Sequence, residues 1–262
     1  MDYSTYADIL IEHHEEGVLQ ATLNRPERLN ALDERLLSEI NRLWLQLADD
    51  RNVRVVVVTG AGQAFSVGAD INLVGKFNED VERSIDSSVQ YTSALRRLMD
   101  LHKPVIAAIN GDVLGGGLGL ALLCDVIFMA REARMLTASQ LNINVLPAPD
   151  AFLWPARGVS SAKAKYHLFK SSVLDASEAE RIGLISVVAD DATLLDEALD
   201  YARQIARRDP RMLSWTKRAL SYNLRAASPL LEEWLSLESL SFAREPVKDG
   251  LSEMRKVIGK EQ

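Results

Sequence analysis

Two short β-like runs rich in apolar residues stand near the start of the chain, Ile9 to His13 and Val18 to Leu23, with polar Glu15-Glu16-Gly17 between them. That pattern predicts a β-hairpin. Pro26 cannot donate to a ladder, so Asn24-Arg25-Pro26 ends the second strand. The period then changes. Leu36, Leu37, Ile40, Leu43, Trp44 and Leu47 fall on one helical face behind Asp33, a residue suited to cap the helix. Val53 to Val58 is almost uninterrupted in its apolar character, as in a strand buried on both faces of a parallel sheet.

Further on, residues 79–102 carry mixed charge at helical spacing, after a polar stretch, Gly75 to Asp80, that reads as a loop able to move over a site. Strand 104–109, helix 116–123 and strand Asp125 to Met129 follow with little linker. From Leu141 to Pro155 the period breaks, and Asn142, Asn144, Pro147, Pro149 and Pro155 indicate loop. Helices resume at Ser161 and Ser177, with a short strand near Leu184 to Val188. Beyond residue 191 the pattern is helical over Leu194 to Arg207, Met212 to Leu224 and Leu230 to Ala243. Strand–helix units in such close succession favour one α/β spiral over separate domains. The expected division is a spiral core over residues 1–190 carrying the ligand site, and a helical part over 191–262 serving oligomerisation and pocket closure. Helix 230–243 is apolar on more than one face, which suits a subunit contact or an intrachain core equally.

Composition narrows the class. The chain has 262 residues, 47% hydrophobic and 26% charged, with a net charge of −7. This is ordinary for a soluble globular protein, and the acidic balance argues against a general nucleic-acid surface. No apolar run approaches the roughly 20 residues of a membrane span, and the N-terminus shows no signal-peptide pattern. The single cysteine, Cys124, reads as a buried thiol in a reducing compartment, so a cytoplasmic location is expected. No Cys/His spacing suggests a metal, and no serine elbow suggests a nucleophile.

Candidate chemistry centres on Gly115-Gly116-Gly117, where an apolar strand turns into an apolar helix. Glycine leaves the backbone N–H groups uncovered, and a helix start leaves them unpaired in a field that favours negative charge. Leu120 and Leu122 stand where a dinucleotide fingerprint needs its third glycine, and no Gly-Lys-Ser/Thr follows for a P-loop. Such a turn suits an anion or a carbonyl oxygen that gains charge; close helix–strand packing is the other reading. A second glycine-bearing loop, Ala64-Phe65-Ser66-Val67-Gly68-Ala69-Asp70-Ile71, follows the buried strand 53–59.

Taken together, Ala64 to Ile71 and Pro104 to Gly117 resemble the enoyl-CoA hydratase/isomerase (crotonase) superfamily. The resemblance runs from Asn24-Arg25-Pro26-Glu27-Arg28-Leu29-Asn30 to the C-terminal helices. It implies a crotonase-like spiral of ββα units with a helical C-terminal part, assembled as a homotrimer or a dimer of trimers. It also implies a small-molecule substrate, an acyl-CoA thioester, with coenzyme A entering as part of the substrate and no further cofactor. By the same resemblance the N–H groups of Ala69 and Gly116 form an oxyanion hole for an enolate. Ser66, Val67, Gly68, Ala69, Asp70 and Ile71 would lie along CoA, with Arg28, or less directly Lys76, near its phosphates.

The acid–base positions depart from the family pattern. Hydratases of the superfamily use two glutamates; the matching positions are Gly119 and Gln140, neither of which handles protons near neutral pH. Asp150, between prolines and apolar residues, is a candidate base whose pKa burial would raise, or else the N-cap of a helix starting near Ala151. Asp150, Trp154-Pro155 and Glu238 also resemble β-diketone hydrolases of the 6-oxocamphor hydrolase type. The expected activity is therefore isomerisation, decarboxylation or C–C cleavage through an enolate rather than standard hydration. A β-diketone hydrolase and a catalytically silent acyl-CoA-binding protein are the alternatives.

Overall fold

The computed structural model describes residues 1–77, 80–247 and 249–250, with the side chains of Ile71, Asn72 and Val81 outside the description. Strands β1 (Ile9–His14) and β2 (Val18–Leu23) form the expected antiparallel hairpin, closed at His14 opposite Val18. Helix α1 (Glu34–Asp49) starts where Asp33 accepts from Leu36 N at 2.9 Å, and it buries the predicted stripe from Leu36 to Leu47.

From here the chain repeats one move. A long strand enters a large sheet, a three-residue strand enters a second sheet, and a helix returns. The long strands are β3 (Val55–Gly60), β5 (Val105–Ile109) and β7 (Val126–Ala130); their short partners are β4 (Ala64–Ser66), β6 (Asp112–Leu114) and β8 (Arg134–Leu136). Strands β9 (Val173–Asp175) and β10 (Val187–Ala189) complete a six-stranded sheet, β1-β2-β3-β5-β7-β10, and a four-stranded one, β4-β6-β8-β9. Apart from β1–β2 and β8–β9, the pairings are parallel. This is the α/β spiral of ββα units, and β3 and β5, buried along their whole lengths, carry its core.

The helices are α2 (Ile71–Phe77) and α3 (Val81–Asp100) after β4, α4 (Gly115–Leu123) after β6, then α5 (Ala148–Ala156), α6 (Ser161–Lys170) and α7 (Ala176–Arg181). Helix α8 (Leu194–Ala206) lies on the large sheet against β3 and β5. Helix α9 (Pro210–Leu220) is tied down by Lys217, whose Nζ pairs with Asp125 at 2.8 Å and donates to Lys103 O at 2.9 Å. Helix α10 (Tyr222–Phe242) folds back onto α3 and α5.

Three expectations needed correction. The stretch from Leu141 to Pro155 is loop only over residues 144–147: a 3-10 turn covers Ser139–Ile143, and α5 begins at Ala148. Pro149 sits in the first turn of α5, where the missing N–H would have had no intrahelical partner anyway. Gly75, Lys76 and Phe77 belong to α2, and Asp80 caps α3 through Arg83 N; Asn78 and Glu79 lie outside the described residues. The last helix starts at Tyr222 rather than Leu230, because Pro229 is accommodated inside it. The carbonyl of Arg225, left without its backbone donor, accepts from Ser228 Oγ at 2.9 Å. Leu231, Leu235, Ser239 and Phe242 of this helix face inward, whereas Leu230, Leu237 and Leu240 remain about half exposed.

Candidate active site

Two loops meet because glycine lets their backbones touch. Gly68 adopts φ +75°, and a Cβ there would stand 2.8 Å from Gly116 N and 3.0 Å from Leu114 O. Neither the left-handed conformation nor the contact tolerates a side chain. The loop is pinned by Leu32, whose N donates to Gly68 O at 2.7 Å and whose O accepts from Asp70 N at 3.0 Å. In that parallel bridge Ala69 N lies on the strand side away from Leu32 and has no hydrogen-bond partner among the described residues. Gly116 N, in the first turn of α4, is one of the donors a helix start leaves free. The structure thus brings Ala69 and Gly116 to the rim of one cavity, where Leu114 takes the N-cap position with no capping side chain.

That cavity measures about 150 Å³ and is mainly apolar. Its apolar lining includes Leu32 and Leu37, Leu235, and a cluster of Leu73, Val74, Phe77, Ile143 and Phe242 in which the Phe77 and Phe242 rings meet edge-on at 5.2 Å. Among the described residues that line it, none carries a positive charge. Polar groups are few: Ser87, Ser88, Tyr91, Ser139, Gln140 and Glu238.

Glu238 projects from α10 into the cavity wall. Burial in the protein body raises its pKa to about 8, the charge of Asp150 adds to the rise, and hydrogen bonds from Gln140 and from the Ala148 N–H oppose it. Asp150, in the first turn of α5, is completely buried and does not line the cavity. Its Oδ2 accepts from Ala138 N at 2.7 Å, while Oδ1 has no partner among the described residues. Burial lifts its pKa to about 7, against the pull of that one hydrogen bond. Asp150 is therefore not an N-cap; Pro147 holds that position. The carboxyl that reaches the cavity is Glu238, and Asp150 stands behind it as a charge-sensitive neighbour.

Position 119 is occupied by glycine for a visible reason. A Cβ on Gly119 would collide with Tyr91 Oη and come within 3.0 Å of Pro149 Cβ. Tyr91 of α3 lines the cavity and donates to Gly116 O at 2.8 Å. Nothing in the sequence pattern singled it out, since it lies in a helix of mixed charge; only the pairing with Gly119 reveals it.

Of the residues expected along CoA, Ser66 is buried, and its hydroxyl donates to Asn30 O at 2.8 Å and accepts from Gly68 N at 3.3 Å. It shapes the loop from beneath, under Gly117, whose Cβ would meet Ser66 atoms at 2.6 Å. Val67 lines the cavity, Asp70 and the backbone of Ile71 lead into α2, and the side chain of Ile71 lies outside the described residues. Arg28 is exposed on the 3-10 turn Pro26–Arg28, and Lys76 is exposed on α2. Cys124 is buried with its thiol pushed up to about 12, chiefly by burial and also by Asp125. His167 is buried in α6 beside Trp154, away from the cavity.

Comparison with known proteins identifies the family to which this ββα spiral, with its two apposed glycine loops, belongs. The family model described as Enoyl-CoA hydratase/isomerase matches residues 13–252. The chain is 36% identical over 255 residues to a probable enoyl-CoA hydratase, EchA12, of Mycobacterium tuberculosis, covering 90% of this chain and 84% of that one. It is 32% identical over 233 residues to the 1,2-epoxyphenylacetyl-CoA isomerase of Escherichia coli, covering 88% and 87%. A crystal structure of an enoyl-CoA hydratase/isomerase from Mycobacterium paratuberculosis superposes with a TM-score of 0.89 at 29% identity, covering 96% of this chain and 100% of that one. The chain belongs to the enoyl-CoA hydratase/isomerase family, the crotonase superfamily of acyl-CoA-processing enzymes.

Proposed function

We propose that this protein is an acyl-CoA isomerase in which Glu238 carries the proton and the Ala69 and Gly116 N–H groups hold the thioester oxygen. The observation that carries this reading is the placement of one carboxyl, Glu238, on the wall of the cavity that begins at those two N–H groups. Gly119 and Gln140 supply no second acid–base group, so activating a water and protonating the α-carbon at once is unsupported. Isomerisation needs less. The Glu238 carboxylate takes the proton from the carbon next to the thioester, and charge moves onto the oxygen facing Ala69 and Gly116. The same carboxyl then returns the proton two carbons further along as the double bond shifts.

The wall also favours a neutral, apolar acyl group. A substrate carrying its own carboxylate would enter beside Glu238 and Asp150 with no cation on the described lining, an uncompensated burial of charge. This favours isomerisation over decarboxylation of a malonyl-type thioester. The β-diketone hydrolase reading retains one supporting observation, the electrostatic contact between Asp150 and Glu238. Coenzyme A is read as part of the substrate, in a cytoplasmic homotrimer or dimer of trimers whose contacts the half-exposed Leu230, Leu237 and Leu240 would supply.

The test is α-proton exchange of acyl-CoA thioesters in deuterated water. Exchange that is lost in Glu238→Gln supports the assignment. Binding of the thioester with no exchange by the native protein would leave only the silent binding protein, and hydrolysis of a free diketone would favour the hydrolase.

A further inference from the structure

Tyr91 is the one cavity-lining side chain hydrogen-bonded to the backbone of an oxyanion-hole residue among the described contacts. Its Oη donates to Gly116 O at 2.8 Å, and its ring lies where a Cβ on Gly116 would find Cε2 at 3.3 Å and Cζ at 3.4 Å. Leu32 Cδ1, 3.0 Å from the same point, presses from elsewhere. Gly116 is thus clamped by a phenol and by the residue whose backbone pins the opposite loop. Burial, with the charges of Glu238 and Asp150 nearby, raises the pKa of Tyr91 well above its usual value, so the hydroxyl stays a donor at any working pH. The phenol occupies the space of a side chain at 119, which ties the identities of the two positions together.

We propose that Tyr91 is a positioning residue for the thioester oxygen: it fixes the Gly116 backbone so that its N–H faces the cavity alongside Ala69 N, and it requires glycine at 119. This rests on the acyl-CoA reading above, since it assigns Tyr91 a part in holding the charge that forms on the thioester oxygen. A donor held in place stabilises that charge without rearranging as it develops, whereas one free to turn away loses part of its effect. The hydrogen bond is neutral and acts through Gly116, so its removal is expected to lower enolate formation about tenfold, less than deleting an oxyanion donor outright.

The experiment uses the full-length protein with acetoacetyl-CoA, whose enolate absorbs in the ultraviolet, and with butyryl-CoA as a ligand that does not enolise readily. In Tyr91→Phe the bound enolate fraction should fall about tenfold at fixed pH, while butyryl-CoA affinity changes less than about threefold. Gly119→Ala should do the same, because its methyl group displaces the hydroxyl. In the Tyr91→Phe background, Gly119→Ala should add much less than it does alone, since the obstructing oxygen is gone and what remains is Pro149 Cβ at 3.0 Å, which has to give by only a few tenths of an ångström. A purely structural role would lower melting temperature and the affinity for both ligands together. An unchanged enolate signal in a folded Tyr91→Phe variant, or full additivity of the two substitutions, overturns the inference alone. Failure of the native protein to bind either thioester overturns the acyl-CoA reading and this inference with it.

Discussion

Replacing Asp150 by asparagine should change how stability depends on pH. In the native protein this carboxyl is fully buried, with one oxygen on Ala138 N and the other without a partner among the described residues, and its pKa stands at about 7 instead of 3.8. Between those values the folded chain holds a proton that the unfolded chain has released. Stability therefore falls as pH rises through the window and levels off above about 7. Three pKa units set a ceiling of about 4 kcal/mol on the loss, since each unit is worth about 1.4 kcal/mol. Asparagine keeps the acceptor for Ala138 N but places an amide donor at the unpartnered corner. Near pH 5 the variant should thus be less stable than the native protein by about 1–3 kcal/mol. Toward pH 9 the native protein loses that advantage, and the two melting curves should converge or cross. Thermal unfolding at half-unit steps from pH 5 to 9 is the assay. Each kcal/mol moves the melting temperature of a chain of this size by about 2–4 °C, so a quarter of the ceiling is measurable. Parallel dependences for the two proteins would refute the reasoning. It would mean that Asp150 is charged throughout, with solvent reaching Oδ1.

Other outcomes follow from the same site. With Glu238 at about 8, only about a tenth of it is carboxylate at pH 7, so α-proton exchange should rise roughly tenfold toward pH 9 if Glu238 is the base. Asp150→Asn removes a charge that raises Glu238, so the inflection should move to lower pH; an unmoved inflection would separate the two groups. Crotonyl-CoA hydration should run at least about 10³-fold below that of a hydratase with both glutamates, because acid–base groups are typically worth 10²–10⁴ each. Efficient hydration would undo the argument from Gly119 and Gln140. Light scattering at micromolar concentration should give a closed oligomer of the 29.0 kDa chain, and a monomer mass would remove the role given to Leu230, Leu237 and Leu240.

The long strands, α1 and the glycine turn were legible because each carries a local signal: apolar runs in β2, β3 and β5, a helical stripe from Leu36 to Leu47, and three consecutive glycines at the turn. The second sheet was not. Its strands span three residues each, too short for a period to register, and they are fixed by the spiral that stacks them. Helix α5 was hidden by its prolines, which mark a loop by composition, although Pro149 fits the first turn and Pro155 is accommodated near the other end. At the site, the resemblance of the two loops to the family pointed to Ala69 and Gly116, and the structure places both on the lining of one cavity. Tyr91 could not be found in this way, since its role depends on a contact with Gly119 across two helices. Sequence put Asp150 ahead of Glu238 as the candidate base, whereas the structure seals Asp150 inside and places Glu238 on the cavity lining.

The return of α10 over the cavity sets an order in time as the chain is made. Ala69 and Gly116 emerge early, but Glu238 lies 122 positions after Gly116 in the sequence. At about 5–20 residues per second, synthesis passes roughly 6–24 s between them. During that interval both glycine-bearing loops exist while the α10 part of the cavity lining does not. An arrested or clipped chain that ends before α10 would accordingly lack Leu235 and Phe242 of the cavity wall as well as Glu238. Completion of the last helix is then the step that closes the cavity.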